Sequence, residues 1–220
     1  SSIITGSFTG SPTFGGTTLS SPNGDIFITK VDGNGNFLWA KQAGGARGDY
    51  SNGISTLSDG SSIITGHFQG SASFGDITLT GLQHDRYSIV IAKLDSNGNF
   101  LWATSGSWVS GYAEANDITT LSDGSSIITG WFYGTFKFGD TTLTTSGSNN
   151  HTSFIAKLDS NGNFLWAKQV GSTNNMETES IDTFSNGSSI ITGSFDGAAN
   201  FGDTTLNSIG QVDIFTAALD

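Results

Sequence analysis

The chain of 220 residues contains no cysteine, two prolines and one methionine, and only 12% of its residues are charged. Without cysteine there is no disulfide framework and no thiolate metal site, a composition that suits bacterial export as well as the cytosol. Lys and Arg number 8 against 19 Asp and Glu, a formal net charge of −11 at pH 7. Nucleic-acid backbones and anionic membrane surfaces need the opposite sign, so both are excluded as partners. No apolar run approaches the length of a membrane-spanning helix, and no membrane insertion is expected. There is no opening Met and no signal peptide; the sequence starts inside a repeat and reads as trimmed. What the chain has in excess is glycine, 31 residues, and phenylalanine, 16, set among Ser, Thr and Asn without a triplet period. That composition describes many short strands joined by tight turns.

The hexapeptide Ser-Ser-Ile-Ile-Thr-Gly begins at Ser1, Ser61, Ser125 and Ser188, at spacings of 60, 64 and 63 residues. Each copy is followed at matching distance by Phe-Gly (Phe14-Gly15, Phe74-Gly75, Phe138-Gly139, Phe201-Gly202), then by a Thr-Leu or similar pair and an apolar run ending in Asp32, Asp95, Asp159 or Asp220. Three copies continue into Asn-Gly-Asn-Phe-Leu-Trp-Ala. A fixed period of this length is one supersecondary unit copied in tandem. Repeat units are expected at about 1–52, 53–116, 117–179 and 180–220, together one repeat domain.

The second copy shows the unit best. Residues 52–57 form a short strand closed by Ser58-Asp59-Gly60, where glycine tolerates the positive φ of a hairpin turn. Residues 61–68 form the next strand, 73–79 a small extension, and 87–94 a third strand. Its consecutive apolar Ile89-Val90-Ile91 implies that both faces are covered. Asp95-Ser96-Asn97-Gly98-Asn99 turns the chain into Phe100-Leu101-Trp102-Ala103. No segment carries a helical period. Antiparallel blades of about 62 residues, apolar on both faces, describe an all-β, β-propeller-like array of about four blades. A β-solenoid is the competing repeat architecture, disfavoured by the density of hairpin turns. Phe68, Phe132 and Phe195 are expected to be buried at matching places, as are Trp39, Trp102 and Trp166.

The segments Ile54 to Phe68 and Ile91 to Ala103, with counterparts Ile118 to Phe132 and Phe154 to Gln169, resemble the bacterial SBBP repeat, the "seven-bladed β-propeller" repeat. The resemblance covers nearly the whole chain and rests on turns and core positions. It implies a propeller blade in a large secreted or surface-attached bacterial protein, serving as scaffold or adhesive module, with no catalytic motif. A seven-bladed ring needs roughly twice this length. The chain opens at the second strand of one unit and stops after the third strand of another. Three arrangements are open: a four-bladed ring with an incomplete seam, an arc of a longer propeller, or a ring completed by another chain. Bare strand edges at the seam invite pairing with other copies or flanking repeats.

Several candidate sites stand out. The Asp95, Asn97, Asn99 and Asp159, Asn161, Asn163 triplets place oxygen side chains at alternate positions, as at the start of a Ca²⁺ loop. However, neither the sixth-position glycine nor the twelfth-position Glu follows, so each reads as a hairpin turn and no metal or cofactor is expected. Acidic residues gather between units at Asp49, Glu114, Asp117, Glu177, Glu179 and Asp182, either as solvated charge or as a set converging on a ligand. Arg47-Gly48-Asp49 spells an integrin-binding tripeptide, which chance also produces. His67, His84 and His151 fall in unrelated contexts.

The copies also differ from one another in an ordered way. After each hexapeptide the residues Ser7, His67, Trp131 and Ser194 vary, as do Thr9, Gln69, Tyr133 and Asp196, while the Phe between them is constant. Strand alternation sends the constant Phe to one face and the variable pair to the other. Trp131, Tyr133, His67 and Gln69, with Trp108 and Tyr112, form the candidate ligand surface, suited to stacking on sugar rings. The expected function is an extracellular or cell-surface, non-enzymatic structural or adhesive module of a bacterial or phage surface protein. The alternatives are a lectin-like carbohydrate binder of surface glycans and a glycoside hydrolase using the inter-repeat carboxylates.

Overall fold

In the computed structural model, which describes residues 1–81, 86–145 and 150–219, every regular element is a β-strand. Asp220 and His84 lie outside the described residues. The chain divides into two compact units, Ser1–Ser105 and Gly106–Asp220. The first unit holds β1 (Ser2–Gly10), β2 (Thr13–Phe14), β3 (Thr17–Thr18), β4 (Ser21–Val31), β5 (Phe37–Gly45), β6 (Tyr50–Thr56), β7 (Ser62–Phe68), β8 (Ser71–Phe74), β9 (Ile77–Thr80), β10 (Ser88–Leu94) and β11 (Phe100–Thr104). Its second sheet has the order β6-β7-β10-β11, and its first sheet runs β1-β4-β5 with the β8-β9 hairpin joined through β5. The second unit holds β12 (Ser107–Thr120), β13 (Ser126–Phe138), β14 (Thr141–Thr144), β15 (Thr152–Leu158), β16 (Phe164–Val170), β17 (Met176–Thr183), β18 (Ser189–Phe195), β19 (Ala198–Phe201), β20 (Thr204–Asn207) and β21 (Asp213–Leu219). The third sheet is β12-β13-β15-β16, with β14 beside β13, and the fourth is β17-β18-β21, accompanied by the β19-β20 hairpin.

Each hexapeptide lies on the strand second in repeat order, β1, β7, β13 or β18, and each pairs antiparallel with the apolar run in one register. Ser2 faces Val31, Ser62 faces Leu94, Ser126 faces Leu158 and Ser189 faces Leu219. Local chemistry sets the turns between them. Asp59 Oδ1 accepts the backbone N–H and hydroxyl of Ser61, and Asp123 does the same for Ser125. In the longer turn, Asp95 Oδ1 accepts the N–H groups of Asn97 and Asn99, at 2.8 and 2.9 Å, while Oδ2 accepts the Asn99 amide. Asp32 and Asp159 repeat this pattern.

The hexapeptide glycine has a different task. A Cβ added at Gly66, Gly130 or Gly193 would lie 2.0 Å from the backbone oxygen of Tyr50, Glu114 or Glu177. Opposite each, the first strand bulges, between Ser51 and Gly53, Ala115 and Asp117, or Thr178 and Ser180. The bulge brings backbone against backbone, and only glycine leaves room.

The cores form between successive sheets within each unit. Ile26 and Ile28 of the first sheet share a core with Ile64, Phe68 and Val90 of the second and with Phe74 of the β8-β9 hairpin. In the second unit Ile127 and Ile155 meet Ile181, Ile191, Phe195 and Phe215. Phe68, Phe132 and Phe195 are buried as expected. The tryptophans are not: Trp39, Trp102 and Trp166 occupy matching positions but are half-buried. They sit on β5, β11 and β16, away from the doubly covered middle strands, and the Trp39 indole N–H is spent on a polar partner, the Ser96 carbonyl, at 3.3 Å. The first copy of the repeat also buries less than the second. Phe8, Phe14 and Phe27 are half-buried where Phe68, Phe74 and Val90 are fully so; Phe14 stacks on Phe27 with centroids 5.0 Å apart.

Phe132→Ala is expected to cost about 3–5 kcal/mol and Trp102→Ala about 1–3 kcal/mol in urea unfolding, because only the former empties a fully enclosed site. Equal losses would contradict this division between middle and outer strands. Gly130→Ala should also destabilise by about 1–3 kcal/mol, since β12 must move away from β13.

Candidate ligand-binding site

The pairing of β12 with β13 sets Tyr112 opposite Tyr133 and Glu114 opposite Trp131, so all four side chains share one face of the third sheet. Tyr112 meets the Trp131 ring edge-on at 5.4 Å and lies 5.8 Å from Tyr133. His151, just before β15, stacks on Trp131 with centroids 4.3 Å apart and planes 23° from parallel. Its position follows from register, because Ser153 is the partner of Trp131 across β13 and β15. The His151 N–H donates to Asn175 Oδ1, and its carbonyl accepts the Met176 N–H, at 3.0 and 3.1 Å. On the side chain, His151 Nδ1 lies 3.1 Å from Glu177 Oε1, with both groups partly exposed.

Burial, reinforced by the charge of Glu177 and opposed by His151, pushes the Glu114 carboxyl above its ordinary pKa. Beside Glu177 opens a cavity of about 220 Å³ lined by Asn175, Glu177, Ser194 and Asp196 among others. Ser194 and Asp196 are the variable positions of the fourth copy, as Trp131 and Tyr133 are those of the third. Two successive copies thus direct their variable residues to one locality, with stacked rings on one side and amide, hydroxyl and carboxylate groups on the other. Such a surface offers apolar faces together with hydrogen-bond donors and acceptors, and among the described residues no group of three or more His, Cys, Asp or Glu is placed to hold a metal.

The other expected residues fall elsewhere. Trp108 is the partner of Phe136, farther along the same strand pair. His67 and Gln69 belong to the first unit. There His67 lies against Tyr87 and Tyr50, at 4.4 and 5.0 Å, and is buried rather than exposed. Burial lowers its pKa to about 4. The Gln69 N–H donates to Asp49 Oδ1 and the Gly45 N–H to Asp49 Oδ2, at 3.2 and 2.7 Å. Asp49 is fully buried, so the Arg-Gly-Asp tripeptide does not display its carboxylate. Asp25, buried as well, accepts the Ser21 hydroxyl and the Gln42 amide. Both carboxylates press on Gly44, whose added Cβ would lie 2.6 Å from Asp25 Cγ and 2.8 Å from Asp49 Oδ2. Burial first, with Asp25 adding to it, pushes the Asp49 pKa up to about 6.

The Asp95, Asn97, Asn99 and Asp159, Asn161, Asn163 sets spend their carboxylates on their own turns. Hydrogen bonds from Asn99 and Asn163 hold both Asp pKa values below the ordinary range. Of the inter-repeat acids, Glu114 and Glu177 come together. Asp117 instead accepts the Ser180 hydroxyl and the Ile181 N–H, tying β12 to β17, while Glu179 and Asp182 are exposed. His151 and Asp25 are the contributors that sequence reasoning did not select. Counting back from Ser153, the partner of Trp131, finds His151; nothing local marks Asp25.

No family model matches the chain. Over 171 residues, 70% of this chain, it is 30% identical to an uncharacterized WD repeat-containing protein of Acanthamoeba polyphaga mimivirus. The likeness is to a repeat protein. It spans only 12% of that protein's length, and none of the five tryptophans here is followed by Asp.

Two buried groups set opposite pH trends in the first unit. The folded chain keeps the Asp49 proton up to about 6, whereas its ordinary value is 3.8; this contribution to stability is full below the ordinary value and falls as pH rises to the folded one. His67, lowered from 6.5 to about 4, contributes fully above 6.5 and loses its contribution as pH drops. Asp49→Asn should therefore reveal stability that rises from about pH 4 to 6.5, and His67→Gln stability that falls over about pH 4 to 6. Urea midpoints across this range check both, and parallel profiles for the two variants would contradict the assignment.

Proposed function

We propose that the chain is a propeller-type, non-enzymatic binding module whose ligand surface is the Trp131, Tyr112, Tyr133 and His151 cluster with the adjoining Glu177 cavity, and whose ligand is a carbohydrate. The observation that carries this reading is that variable residues of two successive copies lie on linked ground, Trp131 and Tyr133 in the aromatic cluster and Ser194 and Asp196 on the Glu177 cavity, with His151 joining the two, within an otherwise constant frame. Sugar rings present apolar C–H faces to aromatic planes, and their hydroxyls match the Asn175, Ser194 and Asp196 groups. The four sheets act as four blades in this reading, the SBBP-like repeat supplying the frame and the WD repeat-containing viral relative supporting a propeller arrangement. Exposed adhesive work at a bacterial or phage surface suits the acidic, cysteine-free composition.

A glycan array followed by calorimetry on the retained sugars tests the proposal. Trp131→Ala should weaken binding by about tenfold or more while leaving the melting temperature close to that of the parent. An array without retained sugars, or binding indifferent to Trp131, overturns it. The paired Glu114 and Glu177 carboxylates also fit an acid and a base flanking a glycosidic bond, with the raised Glu114 as the acid. Turnover of chromogenic glycosides that disappears in Glu114→Gln would replace the binding reading with hydrolysis.

A further inference from the structure

One constellation of positions is filled in opposite ways by the second and third copies of the repeat. In the second copy Tyr50 faces His67 across β6 and β7, and Tyr87 stands just before β10. Both tyrosine rings close on His67, at 5.0 and 4.4 Å, and leave it buried. In the third copy the corresponding positions hold Glu114, Trp131 and His151. A carboxylate stands where the second copy has a tyrosine, and all three residues stay partly exposed. The place is packed shut with rings in one copy, and accessible and acidic in the other.

A second carboxylate reaches the same place from β17. Glu177 Oε1 lies 3.1 Å from His151 Nδ1, and its charge adds to burial in raising the Glu114 pKa. The fixed cations of the second unit stand elsewhere: Lys168 lies 5.7 Å from the Trp166 ring centroid, Lys157 acts on Asp123, and Lys137 faces Ser107 and Thr142. The rings add to the negative character, because an aromatic face carries partial negative charge. The Ser153 hydroxyl, cross-strand from Trp131 and so on the same face of the sheet, is buried and has no hydrogen-bond partner among the described residues. Trp131, Tyr112 and Tyr133 thus stand beside two carboxylates and a further oxygen, a setting that attracts positive charge on a ligand.

We propose that this site takes a cationic sugar, an amino sugar with a free, protonated amine, whose ammonium is held by Glu114 and Glu177 and whose ring rests on the Trp131 and Tyr112 side chains. The inference rests on the carbohydrate reading above and names the class within it. An ammonium gains from both kinds of neighbour at once, through charge-assisted hydrogen bonds to the carboxylates and attraction to the aromatic faces. A hydroxyl in its place makes hydrogen bonds without the charge, and N-acetylation removes the charge altogether. Selection is therefore set at the nitrogen, whereas stacking on Trp131 is common to charged and neutral sugars alike.

Calorimetry on the whole chain with linear tetrasaccharides of glucosamine, N-acetylglucosamine and glucose, which differ in one ring substituent, tests this at a pH that keeps the amines protonated. The glucosamine tetrasaccharide is expected to bind about tenfold or more tighter than either of the others. Glu114→Gln and Glu177→Gln, made separately, should each weaken it by about tenfold while weakening the glucose tetrasaccharide far less. Glu179→Gln removes the same charge from an exposed position on β17 and should leave the preference unchanged, which controls for the general attraction of a chain at −11. Equal or weaker binding of the glucosamine form, or a preference that survives both glutamine variants, overturns the cationic ligand and leaves the carbohydrate reading standing. Retention of other sugars on the glycan array with no affinity for the glucosamine form does the same, whereas an array without retained sugars overturns both.

Discussion

The middle strands of the second and third sheets are buried on both faces, and this constraint governs much of the rest of the chain. All seven residues of β7 are buried, and β10 and β15 each leave a single lysine partly exposed. A strand of this kind has no side left for water, so a sheet built on it must be covered on both faces and a lone copy of the repeat could not enclose itself. It also dictates where charge can go. Many carboxylates sit in turns, where Asp59, Asp95, Asp123 and Asp159 each bond the backbone of their own turn. The low charge content is thus a consequence of the architecture.

How much could be read from the residues alone depended on whether the cause was local. The Asp-Gly and Asn-Gly turns, the hexapeptide strand and the burial of Phe68, Phe132 and Phe195 were legible, because turn chemistry and period-2 alternation act within a few residues. The depth of Trp39, Trp102 and Trp166 was not. A constant tryptophan looks like core, and only the order of strands in the sheet shows that it stands beside the core rather than inside it. His67 erred in the opposite sense. Variation between copies suggested exposure, but Tyr50 and Tyr87 close over it. The Asp25 and Asp49 pair was beyond reach, since the 24-residue separation becomes a contact only through the fold around Gly44.

The aromatic site illustrates how a repeat protein acquires individuality without disturbing its frame. The constant Phe and the variable residue beside it occupy opposite faces of one strand, so substitution on the variable face leaves the core packing alone. In the third sheet that freedom has been used for Trp131 and Tyr133, and the sheet ends bring His151 and Glu177 to them. The first sheet has Ser7 and Thr9 at the same positions, both exposed. The same scaffold therefore carries bare and elaborated versions of one surface.

The Asn-Gly turns have a chemical side as well as a conformational one. In an unstructured Asn-Gly pair the glycine nitrogen attacks the asparagine side-chain carbon, closes a succinimide ring and expels ammonia, after which water opens the ring to aspartate or isoaspartate. Here Gly35, Gly98 and Gly162 donate their N–H groups to the carbonyls of Asp32, Asp95 and Asp159 at 3.2, 3.0 and 3.1 Å, with φ between 82° and 85°. The nucleophile is thereby hydrogen-bonded and held in the turn instead of being free to swing toward the amide. Ageing at Asn34, Asn97 and Asn161 is consequently tied to opening of the hairpins, and each event would add one more negative charge to a chain already at −11. The device that shapes the turns also serves as their preservative.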